Sequence, residues 1–477
     1  MTTAIATRPK AHFTPPTGWL NDPNGLVYFE GEYHLFYQYH PASLVWGPMH
    51  WGHAVSKDLK RWEHLEIALV PDELGTCFSG SAVVDKANTS GLFPHKPGLV
   101  AVYTCHRDEP DFDRGYVEEQ CIAYSHDNGR SWIKYAQNPV VRTNGKSDFR
   151  DPKVFWHDAS QSWIMLLAVG QEIHLYRSRN LLEWEFCSRF GEGQGAHTAH
   201  PWECPDLIEM TIDGSSETRW VLIVGLGASE ESFGSFTQYF VGHFNGREFV
   251  NENAADEVRL MDEGRDFYAV QSWSNTPNSD VLAIAWMSNW KYANQFPATD
   301  YRGSLSLVRS LKLTRRTSGL LLTQQFADYS EPKNNLREPV NIDPIWQAEG
   351  DDGARIGHME LNLETGSSVE LSFFERNSAD LRLTARNRGY TIEIIRKGMS
   401  DDDHFNKLFG HNYSRHLKSD GPLQIDWSTD MKSLEILLDG GLMSITQLVN
   451  HSRAGAPVQL RLNAGRCKLL EHGEYVL

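Results

Sequence analysis

Short apolar stretches of β-type composition recur along the first two thirds of the chain. They read YHLFYQY from Tyr33, LVAVYTC from Leu99, WIMLLAV from Trp163, WVLIVG from Trp220 and VLAIAWM from Val281. Their starts lie 66, 64, 57 and 61 residues apart. No helical 3.6-residue periodicity fills the gaps, so each period predicts one four-stranded unit of a β-propeller. A second pattern follows several of the runs: AVSKDLKRW at Ala54–Trp62, AYSHDNGRSW at Ala123–Trp132, LYRSRNLLEW at Leu175–Trp184 and VGHFNGREF at Val241–Phe249. Each is a strand, a polar turn and an aromatic, which is hairpin chemistry. Trp62, Trp132 and Trp184 are read as packing plugs between units. A generic β-sandwich with accidental spacing is the competing reading, and five runs near one period weigh against it. The pattern therefore predicts an all-β chain that opens with a five-bladed propeller over residues 1–315.

From 316 to 344 the repeat lapses into a Pro- and Asn-containing stretch read as a linker. Alternation resumes from Ser368, Asp380, Tyr390, Ser433, Ser444 and Val458, with Gly and Asn turns between the runs. Period-two strands of this kind predict an antiparallel β-sandwich over 345–477. No cluster of acids or histidines in this rear part looks catalytic, so it is expected to buttress the front.

Composition narrows the partners. The 477 residues carry 45 Lys+Arg against 62 Asp+Glu, a formal charge of −17. Such a chain repels nucleic acid and anionic membrane surfaces, whereas a neutral sugar meets no such repulsion. No apolar run approaches the roughly 20 residues that span a bilayer. The N-terminal stretch has no apolar core of leader length, which predicts a cytoplasmic protein unless a leader has been removed. The six cysteines form no C-x-x-C pair and are expected to be isolated buried thiols. Thirteen of the fifteen tryptophans lie between Trp19 and Trp290, which makes the front part the aromatic one.

Candidate chemistry lies just upstream of the apolar runs. WLNDPNGLVYF holds Asp22, FRDPKVFW holds Arg150 and Asp151, and WECPDLIEM holds Glu203 and Asp206. FSGSAVV begins at Phe78, and RDFYAVQSW holds Asp266 and Tyr268. The first strand of each propeller blade lines the central channel, so the starts of these segments converge on one end of the axis. Asp22, Asp151 and Glu203 would then share a funnel, an arrangement too costly to persist without use. Trp19, Trp46 and Trp202 bracket it, and aromatics beside carboxylates suit a sugar ring. Two carboxylates suffice for glycoside hydrolysis. Glu203, flanked by Trp202 and Cys204, fits a general acid kept protonated by an apolar shell. Asp22 sits in a turn-like N-D-P-N-G whose donors favour the ionised form of a nucleophile. Arg150 is expected to keep Asp151 charged. Each Asp-Pro alone would signify only a turn; their common placement gives them weight.

On these residues the sequence resembles glycoside hydrolase family 32, the β-fructofuranosidases. The motifs are W-L-N-D-P-N-G at Trp19–Gly25, F-S-G-S at Phe78–Ser81, R-D-P at Arg150–Pro152 and E-C-P-D at Glu203–Asp206, supported by HWGHAVSKDLKRWEHL at His50–Leu65. The resemblance covers the whole chain, with Leu20 where many members carry Met. It implies Asp22 as nucleophile, Glu203 as acid/base and Asp151 as transition-state stabiliser. It also implies a fructose pocket drawn from Trp19, Asn21, Gln38, Trp46, Phe78, Ser79, Arg150 and, through the segment Trp286–Arg309, Trp290. The implied activity is retaining, exo-acting removal of terminal fructose from sucrose or fructans, with no cofactor and no metal. A fructosyltransferase, an inverting arabinan-type glycosidase and a silent carbohydrate-binding protein are the alternatives. The oligomeric state stays open, with a homodimer among the options.

Other motifs carry no chemistry. His50/His53 straddle an expected strand, and His197/His200 lie in a loop near the leaving-group side, so neither H-x-x-H pair is assigned a metal. Cys204 lacks a histidine partner and is read as a tuning neighbour rather than a nucleophile. G-E-G-Q-G at Gly191–Gly195 is followed by no Lys-Ser/Thr and is not a phosphate loop.

Overall fold

The computed structural model describes residues 8–94, 97–143, 145–229, 232, 234–327, 329–330, 332–348, 353–374, 379–398, 402–419, 421–449 and 457–477. Residues 1–7, the first half of the N-terminal stretch on which the leader expectation rests, lie outside them. Five sheets, each built on successive antiparallel strands, occupy the first part of the chain and form blades one to five. Their innermost strands are Gly18–Phe29, Thr76–Asp85, Phe149–His157, Trp202–Thr211 and Tyr268–Ser272. Each apolar run is the second strand of its blade, paired directly with the innermost one. The innermost strands pack against one another in sequence, and the fifth returns to the first. Two parallel pairings close the ring: Gly18 with Tyr301, and Val27 with Ser274.

Apolar side chains fill the spaces between blades. Phe36, Trp51, Tyr103 and Cys121 join blades one and two; Met165, Val100 and Val154 join two and three. The hairpin aromatics serve as the plugs that the repeat predicts. Trp132 of blade two meets Phe36 of blade one edge-on at 5.4 Å, and Trp62 of blade one stacks near Trp273 of blade five at 6.3 Å.

The expected boundary at 315 falls one residue inside a strand. Arg309–Arg316 pairs with Gly319–Phe326, so the fifth blade runs through Phe326. The LLLTQQF stretch, read as linker from its polar tail, has its apolar half buried against blades four and five. Beyond it, two six-stranded sheets face each other across a core that includes Leu371, Leu383, Ile392, Trp427 and Ile436. This is the predicted sandwich. Its one helix among the described residues, Asp403–Phe409, escapes a strand-period reading. Asp402 caps it by accepting from the His404 and Phe405 N–H groups, at 2.9 and 3.2 Å. No helix of the described residues is long and apolar enough to cross a membrane.

The sandwich docks on blade five through buried charge as well as apolar contact. Asp266 accepts from Arg396 at 2.5 Å and from the Leu448 N–H at 2.8 Å. Arg309 pairs with Glu435, which also meets His12 at 2.8 Å. The expectation of isolated buried thiols holds for Cys77, Cys204 and Cys467; Cys187 is a free thiol but only half-buried, and Cys105 and Cys121 form a disulfide across neighbouring strands of blade two. Their Cα atoms are 6.2 Å apart. The alternation of strand side chains puts both on one face, diagonally opposed, which linear spacing does not reveal.

Candidate active site

One local device is repeated five times. Every innermost strand carries one residue more than its partner at the same place: between Leu20 and Pro23, Cys77 and Gly80, Arg150 and Lys153, Glu203 and Asp206, and Tyr268 and Gln271. These are β-bulges, which kink a strand and re-aim side chains at the rim of a barrel-like structure. Asp151, Cys204 and Ala269 adopt left-handed backbone within them, with φ of 62°, 50° and 51°. The N-D-P-N-G segment is therefore a bulged strand and not the turn expected of it. Gly25, at φ 61°, leaves room where a Cβ would approach Phe36 to 2.6 Å and Trp51 to 2.7 Å. The sequence does mark three of the bulges. Pro23, Pro152 and Pro205 follow Asp22, Asp151 and Cys204, and proline fits a strand interior where the ladder is already broken.

The bulges turn Asp22, Asp151 and Glu203 into one cleft of about 720 Å³ at the end of the ring, with Asn21, Gln38, Trp46, Phe78, Ser79, Arg150 and Trp290 in its walls. Asp22 accepts from the Ser79 hydroxyl at 2.8 Å, the Asn21 amide at 3.0 Å and the Cys204 thiol at 3.6 Å. Burial pushes its carboxyl above the ordinary range, and these donors pull the other way. Asp151 accepts from the Cys204 N–H at 2.9 Å and the Cys204 thiol at 3.6 Å. Burial raises Asp151 to about 7. Burial beside three carboxylates likewise pushes the Cys204 thiol well up, so it stays a neutral donor between the two aspartates. Glu203 receives Arg150 at 2.8 Å on one oxygen and the Tyr268 hydroxyl at 2.5 Å on the other.

Three local expectations change. Arg150 makes no hydrogen bond to Asp151: neighbouring side chains on a strand diverge, and the guanidinium reaches Asp148, Glu118 and Glu203 instead. Glu203 does not sit in an apolar shell, because Trp202 turns into the core and stacks under His197 while the carboxylate faces polar donors. Trp19 is fully buried and lies beneath the cleft wall rather than in it. Its indole N–H fixes Asn21 at 2.7 Å, and its ring stacks under Trp290 at 6.0 Å.

The other aromatics line the cleft as expected. Trp46 is 42 % exposed, and its ring lies edge-on to Phe78 at 5.9 Å. Gln38 is held by Asn24 and the Cys77 carbonyl, each at 3.1 Å. His106, Arg114, Tyr116, Glu118, Asp148 and His200 also line the cleft. Sequence reasoning assigned no site role to the first five because they come from loops and second or third strands, where no repeated motif points to them. Tyr268 stood at a blade start, and that position was its signal.

The family model described as "Glycosyl hydrolases family 32 N-terminal domain" matches residues 12–325. The chain belongs to glycosyl hydrolase family 32. A levanase from Bacillus subtilis is 43 % identical over 97 % of this chain and 69 % of its own length. An invertase from Schizosaccharomyces pombe is 42 % identical over 64 % of this chain and 53 % of its own. Among solved structures, an exo-inulinase from Aspergillus awamori superposes with a TM-score of 0.85 at 29 % identity, covering 98 % of both chains. A fructofuranosidase from Schwanniomyces occidentalis, solved with fructose, gives 0.83 at 29 % identity over 99 % of both. The levanase and the two solved structures thus match this family 32 chain across propeller and sandwich alike.

Proposed function

We propose that this chain is a retaining, exo-acting β-fructosidase that releases terminal fructose from sucrose and from fructans. The observation that carries the reading is the convergence of Asp22, Asp151 and Glu203, from blades one, three and four, on a single aromatic-walled cleft. Family membership and the named activities of the relatives support the same reaction.

In this reading Glu203 protonates the leaving-group oxygen while Asp22 attacks the anomeric carbon and forms a fructosyl ester. Water then attacks the ester, with Glu203 as base. Asn21 and Ser79 hold the Asp22 carboxylate in place for attack. Asp151, immobilised by the Cys204 N–H, binds sugar hydroxyls and steadies the positive charge of the oxocarbenium-like state. Trp46, Phe78 and Trp290 offer apolar faces to the ring, and Trp19 supports Trp290 and Asn21 from below. Five carboxylates line the cleft (Asp22, Glu118, Asp148, Asp151, Glu203) against the two guanidinium groups of Arg114 and Arg150. That balance disfavours a phosphorylated sugar and suits a neutral fructoside.

Release assays on sucrose, inulin, levan and a sucrose phosphate test the reading. Fructose should be the first product from every neutral substrate, and the phosphorylated one should be the poorest. Internal fructan fragments, or fructosyl transfer dominating at high sucrose, would overturn it.

A further inference from the structure

Arg150 and Glu203 present a contradiction that the reaction must resolve. A general acid needs its proton, yet a guanidinium 2.8 Å from one carboxylate oxygen favours the ionised form. The surroundings of Arg150 supply the answer. Its Nη1 donates to Asp148 at 2.8 Å and faces both Glu118 oxygens at 3.3 and 3.4 Å. The Glu118 and Asp148 side chains are 1 % and 6 % exposed, and that of Arg150 is 13 % exposed, so solvent screens these pairs little. One cation is thus divided among three carboxylates.

The two extra acids are firmly built in. Glu118 lies on the third strand of blade two, Tyr116–Ser125, and accepts from the Phe149 N–H at 2.8 Å and from His106 at 3.2 Å. Asp148 has left-handed backbone at φ 54° and accepts from the Tyr116 hydroxyl at 2.8 Å and from Arg114 at 2.5 Å. Glu203 itself faces Arg150, the Tyr268 hydroxyl, Asp22, Asp151 and the Cys204 thiol.

We propose that Glu118 and Asp148 are positioning residues of the reaction: by drawing charge from Arg150 they let it orient Glu203 without stripping the acid of its proton. The inference rests on the acid/base reading of Glu203. If it holds, neutralising either carboxylate leaves more of the Arg150 field on Glu203, and the proton departs at lower pH.

The test uses the full chain carrying Glu118→Gln or Asp148→Asn, both near-isosteric, with melting curves to confirm folding. The pH dependence of kcat/KM is measured on sucrose and on an aryl β-fructofuranoside whose leaving group needs no proton. In each variant the basic limb on sucrose should move acidward by about half a pH unit or more. Activity on the aryl fructoside should keep its profile. A sucrose limb unmoved in both folded variants, while still absent for the aryl substrate, overturns the inference and leaves the acid assignment standing. A wild-type basic limb identical on both substrates overturns the acid assignment and the inference with it.

Discussion

At the scale of single residues, the site is assembled against its own electrostatics. Asp151 is the clearest case, because burial raises it to about 7 from an ordinary 3.8. The folded state therefore holds this proton more tightly than the unfolded chain does, and ionising it costs stability. That cost is absent below the unfolded value and complete once the pH passes about 7. Asp151→Asn keeps an oxygen to accept from the Cys204 N–H and removes the charge. The variant should gain about 1–3 kcal/mol of stability at pH 8, shrinking toward zero near pH 4, while losing nearly all turnover. Denaturant melts across that range check it, and a variant no more stable at pH 8 than the wild type contradicts it.

At the scale of elements, the five bulges decide how much the sequence could tell. The apolar runs declared the second strands because a fully buried central strand reads as continuous hydrophobic sequence. The innermost strands were legible only by position, since their polar bulged ends look like turns. Asp22, Asp151, Glu203 and Ser79 are legible that way, whereas Phe78 enters as a pocket residue through the family resemblance. Which of these side chains pairs with which was not legible, because a bulge changes which neighbour a side chain meets. Arg150 next to Asp151 in sequence reads as a pair, yet in space it serves Glu118, 32 residues earlier, and Glu203, 53 residues later. Trp19 failed for a related reason. Its place at the head of the motif suggests a wall residue, and strand alternation turns its ring into the core.

At the scale of the whole molecule, the rear sandwich is joined to the propeller by more than apolar contact. The Asp266 and Arg396 side chains are both fully buried, and Tyr292, two residues from cleft-lining Trp290, donates to Asp266 at 2.5 Å. Removing one partner leaves a buried charge, so Arg396→Met should cost about 3–5 kcal/mol, and adding Asp266→Asn should restore part of it. Equal losses in the single and double variants would contradict the pairing. The same interface has a pH window. Hydrogen bonds to Asp430 and Glu435 outweigh burial and raise His12 to about 9, so its contribution is full below 6.5 and fades as the pH rises through 9. Arg309 and His12 outweigh burial at Glu435 and lower it to about 2, so its contribution is full above 4.5 and fades toward 2. Within those limits the two units should unfold together.

In the proposed reaction Asp22 forms a covalent fructosyl intermediate which Glu203 helps to make and to break. One measurement addresses it directly. The Glu203→Ala variant is supplied with an activated aryl β-fructofuranoside and azide, and the anomeric configuration of the product is determined by NMR. Double displacement predicts restored turnover and a β-fructosyl azide, because azide enters on the face opposite Asp22. An α-fructosyl azide would mean a single displacement with inversion, and the assignment of Asp22 as nucleophile would fall.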